Sequence, residues 1–464
     1  MMESRTELAL QALLDAARLL SATLGESMTM VLTGQVFGLV ALGESAAKFP
    51  PVTMPMPAAA WRSHFRGLVG PSFRDPLLQA CGSVVSANPT LSSVFDPSYL
   101  LSAEDERALG LVLRASLDLA ELGDPATSLD GLLARLDGRG REPVQLSPTV
   151  ARLLVGLADL RDRQSVADPF CRSGDLIQAA ASEITAKGGL STRVFGCEPN
   201  GRWATLAGVR ALLTGTPPIQ IDQRDPLFSP AEVDGQLQRF DRIVTCPPMT
   251  PRLDISALEK DRYLRFRHGV QLRAGADIAR VEHAVASLRP GGLAVVLVPA
   301  GLLFRGGHEE RVRAGLLRDC LVSAVITLPP GALPGTRIAT AILVLAKDRP
   351  ADSQQRFRYI HAAGAETKAR RAEGPDDGLV ARILRAYNDG ADEPGFARWV
   401  AATEVEANQW SLSSANFFPA DTPALADPAE IAQTLSLLTA ERGQAEVRFD
   451  TAAAALSALL SASR

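Results

Sequence analysis

Four short stretches carry residue types suited to holding and modifying a nucleotide-like ligand. The first is Ser165-Val166-Ala167-Asp168-Pro169-Phe170-Cys171-Arg172-Ser173-Gly174-Asp175. An apolar run ends in Asp-Pro, a small-residue turn follows, and Leu176 to Ile184 has helical patterning. Strand, tight turn and helix form the entry of a Rossmann-like unit. Gly174 would let the backbone approach a ligand with no Cβ in the way, beside a helix N-terminus. The second stretch, Arg193 to Glu198, is a strand ending in an acid. A carboxylate at that tip can accept both hydroxyls of a ribose. The third strand, Ile219 to Asp222, is followed by Arg224-Asp225-Pro226-Leu227 and offers another acid. The fourth, Phe240 to Thr245, runs into Cys246-Pro247-Pro248-Met249. The first turn alone also suits an ordinary strand–helix connection, so it is the ordered series that adds specificity.

Further elements must position these stretches. Leu293 to Val298, Leu321 to Ile326 and Ala339 to Leu345 bring the strands to seven. Their continuous apolar character predicts a buried, mostly parallel sheet with helices on both faces. Ahead of the first strand, Leu146 to Leu154 predicts a helix with Ser147 as cap and Pro148 at its first position. Residues 1–140 are predicted helical, from Leu8, Leu10, Leu13, Leu14, Ala17 and Leu20 and again from Glu104 to Leu122. Gly138 to Pro143 has the composition of a linker to a domain spanning 141–350. Residues 351–420 form an extension with an edge strand at Arg356 to His361. In 421–464 a helical tail starts at Asp427-Pro428; it either docks on its own domain or serves as a partner helix.

In this order the stretches resemble the adenine-N6 DNA methyltransferases, specifically the modification subunits of type I restriction–modification systems. That family carries an Asp-Pro-x-Cys-Gly-Ser/Thr-Gly turn, an acidic second-strand tip, a Gly-Asp-x-Leu segment and an Asn-Pro-Pro-aromatic loop. The likeness continues through Asp277-Ile278-Ala279, Glu282-His283-Ala284, Leu288-Arg289-Pro290-Gly291-Gly292 and Val298 to Gly307, and then to Arg313, Val325 to Pro330 and Gly335 to Ile338. The resemblance implies an α/β fold of the class I S-adenosylmethionine-dependent methyltransferases. It implies a seven-stranded sheet whose last strand inserts antiparallel, a helical N-terminal domain and a helical tail. It assigns S-adenosylmethionine to Ser147, Pro148, Asp168, Phe170, Cys171, Ser173, Gly174, Glu198 and Asp225. DNA, a specificity subunit and a restriction subunit are the implied partners. Read as a residue, Cys171 is equally a small apolar core position, as are Cys197 and Cys320.

Adenine N6 is a poor nucleophile because its lone pair is delocalised into the ring. In the family, an Asn oxygen and a Pro carbonyl accept the amine hydrogens while an aromatic ring stacks on the flipped base. Here Cys246, Pro247, Pro248 and Met249 occupy that loop. A thiol is a weak acceptor, and Met lacks a rigid π face. Arg172 stands where the family has the first Gly of the turn. Three functions follow: an adenine-N6 methyltransferase, a cofactor- or DNA-binding relative without turnover, or an enzyme using Cys246 as a nucleophile on a pyrimidine.

Composition bounds the alternatives. Five dispersed cysteines with no Cys-x-x-Cys pair argue against a disulfide framework or structural zinc. No run of eighteen apolar residues exists and Met1 to Leu20 lacks a signal-peptide core, so a cytoplasmic protein without membrane insertion is expected. The net charge of −4 does not favour nucleic acid, yet only five of the 48 basic residues are Lys and the rest are Arg, the better phosphate partner. Arg262, Arg265, Arg267 and Arg273, around Tyr263, Phe266 and His268, predict either a nucleic-acid groove or a solvated loop balanced by Asp261 and Asp277.

Overall fold

A computed structural model of the chain describes residues 2–45, 52–68, 72–136, 146–189, 192–215, 219–249, 256–269, 276–333, 338–350, 355–364 and 374–418. The tail expected over 421–464 and the linker expected over 138–143 lie outside the described residues. By its contacts the chain divides between Ser413 and Ser414, and every element below belongs to the larger unit.

The apolar runs form β1 (Ser165–Asp168), β2 (Arg193–Cys197), β3 (Ile219–Asp222), β4 (Phe240–Thr245), β5 (Leu288–Pro299), β6 (Val322–Thr327), β7 (Thr340–Ala346), β8 (Arg356–His361) and β9 (Ala397–Ala401). They make one sheet in the order β3-β2-β1-β4-β5-β7-β6-β8-β9. Pairing is parallel from β3 through β5, and β7 inserts antiparallel to both β5 and β6. The sheet is larger than the seven strands expected. β8 pairs parallel with β6, so it is not an edge strand, and β9 completes the sheet antiparallel to it. Burial of Phe357, Tyr359 and Ile360 makes this addition possible. The order reverses at β1 and β4, where connections leave in opposite directions and open a crevice at the strands' carboxyl ends.

The N-terminal helices are α1 (Met2–Leu24), α2 (Glu26–Ser45), α3 (Ala58–Arg66), α4 (Arg74–Ala87), α5 (Pro97–Leu101), α6 (Glu106–Leu122) and α7 (Pro125–Leu136). The sheet is flanked by α8 (Pro148–Leu157), α9 (Asp175–Ala186), α10 (Gly201–Thr214), α11 (Ala276–Ala286), α12 (His308–Arg318) and α13 (Asp377–Asp389). One sheet face shares a single apolar core with α8, α9 and α13.

The helical region is joined to the sheet through α10, whose Leu206, Val209, Leu212 and Leu213 belong to the helical core. The approach is close because α2 presents Gly34 and Gly38 one turn apart. A Cβ at these positions would meet Leu206 Cδ2 at 2.7 Å and Val209 Cγ1 at 2.5 Å. Helix α2 is long and apolar enough by composition to cross a membrane, but 83% of its Glu26–Gly43 window is buried inside the protein. Its buried Gln35 donates to the carbonyls of Val94 and Asp96, the behaviour of a core helix.

Electrostatics reinforce the same junction. Arg210 of α10 is buried, and its Nη1 donates to Asp175 Oδ1 at 2.6 Å and to the Ser173 carbonyl at 2.9 Å. Its Nε donates to Asp130 Oδ1 of α7 at 2.9 Å. Burial pulls the guanidinium pKa down, but Asp175 and Asp130 outweigh it and leave it raised. Removing one partner from a buried pair strands a charge. Arg210→Met is therefore expected to lower unfolding stability by about 3 kcal/mol. An unchanged midpoint in chemical denaturation would show that this junction does not depend on the ion pair.

Candidate active site at the sheet switch point

Asp168 ends β1, and the turn after it is tightly specified. The Cys171 N–H donates to the Cys197 carbonyl at 2.9 Å and the Gly174 N–H to the Cys171 carbonyl at 2.8 Å. Arg172 and Gly174 both take the left-handed region, at φ 51° and 87°. Gly174 does permit a close approach, but to α10: an added Cβ would lie 3.2 Å from Ala207 Cβ. Its conformation starts α9, whose first N–H groups have no partner within the helix.

The carboxylates of β1 and β2 are fixed by backbone donors. Glu198 Oε2 accepts from the Arg172 N–H at 3.0 Å and Oε1 from the Asn200 N–H at 2.8 Å. It is buried, and burial raises its pKa despite those two donors. Each oxygen keeps lone-pair capacity for a further donor. Asp168 Oδ1 accepts from Thr245 Oγ1 at 2.6 Å and from the Phe170 N–H at 3.0 Å. Burial pushes its carboxyl up to about 7. Asp225 lies three residues beyond the end of β3, with Oδ1 accepting from the Leu227 N–H at 2.9 Å.

Other predicted residues hold the site from behind. Phe170 is buried with Leu227, Leu258, Phe266 and Ala279, and its ring meets His283 edge-on at 5.9 Å. Cys171 is a core residue whose Sγ would lie 2.9 Å from a Cβ on Gly196. Ser173 is fully buried, its Oγ 3.5 Å from Asp175 Oδ2. Ser147 stands at the N-cap of α8 with Pro148 next, but its hydroxyl bonds Thr149 Oγ1 at 2.9 Å and makes no capping bond to the backbone. The Leu146 N–H donates to Asp175 Oδ2 at 2.8 Å, which brings this helix start to the turn.

The Cys246–Met249 loop leaves the end of β4 directly after Thr245. Cys246 and Met249 are half-buried against the sheet core. Burial pushes the Cys246 thiol up to about 12, a rise that the Arg172 charge only partly opposes. Such a thiol is protonated at neutral pH, and the thiolate is the nucleophilic form. The Pro248 carbonyl accepts from Arg280 Nη1 at 2.6 Å.

The arginine cluster does not form one groove. Arg265 is buried and bonds Asp261 Oδ1 at 2.7 Å, the Pro226 carbonyl at 2.9 Å, the Leu227 carbonyl at 2.6 Å and His283 Nδ1 at 2.9 Å. Arginine only donates, so His283 Nδ1 accepts; burial and the Arg265 charge hold that ring neutral, near 3. Asp261 thus balances Arg265, while Asp277 pairs with Arg280. Arg262 pairs with Glu232 and Arg267 with Asp319 on the surface; Arg273 lies outside the described residues. Nothing local in the sequence marks Thr245 or Arg280, or the buried bracing role of Arg265, because each works across elements.

A doubly wound sheet with an inserted antiparallel seventh strand, and acids at neighbouring strand ends, defines the class I S-adenosylmethionine-dependent methyltransferase fold. The chain belongs to the N-6 DNA Methylase family, whose profile matches residues 143–423. It is 25% identical over 285 residues to the type I restriction enzyme MjaVII methylase subunit of Methanocaldococcus jannaschii, covering 59% of this chain and 48% of that one. It is 25% identical over 330 residues to the MpnII methylase subunit of Mycoplasma pneumoniae, covering 68% and 59%. The chain thus spans about half the length of the curated relatives it matches. A type I restriction–modification methyltransferase subunit from Streptococcus thermophilus shares the fold with a TM-score of 0.71 at 19% identity, covering 89% of this chain and 99% of that one. A chain from a type I restriction–modification complex follows at 0.66 and 21%, covering 97% and 98%.

The Asp168 carboxyl has a pH signature. An unfolded Asp releases its proton near 3.8, the folded one near 7, so stability falls as pH rises between those values. Asp168→Asn keeps an acceptor for Thr245 and Phe170 and removes the titration. Its unfolding free energy should gain on the parent's by about 2–3 kcal/mol between about pH 5 and about pH 8. A gap that does not change with pH in denaturant titrations would refute a raised Asp168.

Proposed function

We propose that the chain is the methyl-transferring part of a type I modification subunit. It binds S-adenosylmethionine and methylates adenine N6 in DNA, alongside a specificity subunit that reads sequence and a restriction subunit. The observation that carries this reading is the Thr245–Asp168 hydrogen bond, which joins the Cys246–Met249 loop to the β1 turn at the switch point.

S-adenosylmethionine supplies the activated methyl group when bound. The residues present suit it. Glu198, with both oxygens oriented by backbone donors, has capacity left for ribose hydroxyls. Asp225 offers an acceptor for the adenine amine, and Ser147 and Pro148 adjoin the turn from α8. On the base side, the Pro247 carbonyl accepts one N6 hydrogen, Cys246 weakly accepts the other, and Met249 lies against the flipped ring. Alignment then carries most of the rate, with the displaced amine proton passing to solvent.

A second reading, ligand binding without turnover, draws on one observation: Cys246 is a half-buried neutral thiol where a strong acceptor is wanted. Loss of a positioned polar group at a reacting centre commonly costs about two to three decades in rate. The same protonated thiol removes support from the pyrimidine-nucleophile reading.

Two measurements test the proposal. Glu198→Ala should weaken S-adenosylmethionine binding by about 1–3 kcal/mol in titration calorimetry; equal affinity, or none in the parent, counts against it. Cys246→Asn combined with Met249→Phe should raise adenine methylation above the parent's by about tenfold or more, measured by nucleoside mass spectrometry with a specificity subunit present. Strong parental methylation that survives Cys246→Ala would show that this loop does not face the base.

A further inference from the structure

The Cys246–Met249 loop has an anchoring problem set by its sequence. Pro247 and Pro248 have no N–H, so backbone donors cannot hold the loop there and only its carbonyls offer polar handles. One handle is taken: Arg280 Nη1 donates to the Pro248 carbonyl at 2.6 Å.

Arg280 is built into its place. It is 5% exposed on α11, one turn before His283. Its Nη1 also lies 3.3 Å from Oδ1 of Asp277, itself buried on the preceding turn. The guanidinium carbon stands 5.9 Å from the centre of the Phe170 ring, whose edge-on partner is His283. Helix α11 therefore grips Phe170, from the β1 turn, with two residues and holds the loop with one of them. Burying a guanidinium is unfavourable unless it is paired, and a planar fork can serve a carbonyl and a carboxylate together.

We propose that Arg280 is a positioning residue that holds the Cys246–Met249 loop in register with the β1 turn by capping the Pro248 carbonyl. This leaves the Pro247 carbonyl for the substrate amine, and to that extent it rests on the reading of the loop as base-facing. The sequence places a chemical reporter in the loop, since Cys246 is half-buried and the other half-buried thiol among the described residues is Cys320, at the far end of α12.

The test compares maleimide labelling of Cys246 and Cys320, residue by residue, by peptide mass spectrometry of the full chain. Arg280→Met should raise the Cys246 rate relative to Cys320 by about tenfold, the change in loop opening expected when one charge-assisted hydrogen bond is lost. Arg280→Lys, which keeps a charged donor at this position of α11, should stay within about threefold of the parent. An unchanged ratio in a folded Met variant overturns the proposal, and so does a Lys variant that behaves like Met, because packing would then be the cause. Should the Met variant fail to fold, Asp277→Asn loosens the same guanidinium. It should raise the ratio in the same direction, and no rise overturns the proposal. Repeating the parent with saturating S-adenosylhomocysteine tests the cofactor reading separately. Protection of Cys246 supports that reading and its absence counts against it, while the ligand-free comparison still decides the role of Arg280.

Discussion

The site depends on one buried hydrogen bond between strands. Thr245, the last residue of β4, donates its hydroxyl to Asp168, the last residue of β1, at 2.6 Å. These two strands flank the point where the sheet order reverses, where adjacent connections part and leave a crevice. The bond holds the β1 turn and the Cys246–Met249 loop at one spacing. Burial raises the Asp168 pKa, and the hydroxyl and the Phe170 N–H are what partly offset that. A protonated or a charged Asp168 can each accept from Thr245, so the link survives titration.

Around that link, arginine does the bracing. Arg210, Arg265, Arg280, Arg313 and Arg358 are all at most 6% exposed. Each donates to main-chain carbonyls. Arg313 reaches those of Leu302, Arg305 and Trp410, and Arg358 that of Ala386. A Lys-poor, Arg-rich composition suggests phosphate recognition when read along the chain. In the fold, much of it serves to satisfy carbonyls where loops and helix ends meet. The planar fork suits this work because several donors leave one rigid group in fixed directions.

The loop departures become more informative in that setting. Cys246 and Met249 follow β4 into a framework that is formed: the Thr245 link, the backbone donors to Glu198 and the Phe170 core are all in place. Stability alone keeps these buried charged groups paired, since removing one partner strands the other. The departures lie in two side chains of the loop, not in the framework behind it.

The strand series, the β1 turn, the acid at the tip of β2 and the position of the altered loop were all legible in the sequence. Periodicity and turn chemistry are local, and the order of local signals is enough to recognise a doubly wound sheet. What tertiary structure decided was where each side chain spends its interactions. Cys171 and Phe170 belong to the turn but are buried in the core, Cys171 with the sheet and Phe170 with Leu227, Leu258, Phe266 and Ala279. Gly174 is needed for Ala207, a residue more than thirty positions away. Arg265 sat in a basic cluster and is buried, because Asp261, two carbonyls and His283 converge on it from three elements. β9 and the inward place of β8 were not marked, since Ala397 to Ala401 carries no period that tells a short strand from a helical turn without its partner. Sequence specifies which groups are available; only packing determines which of them are already taken.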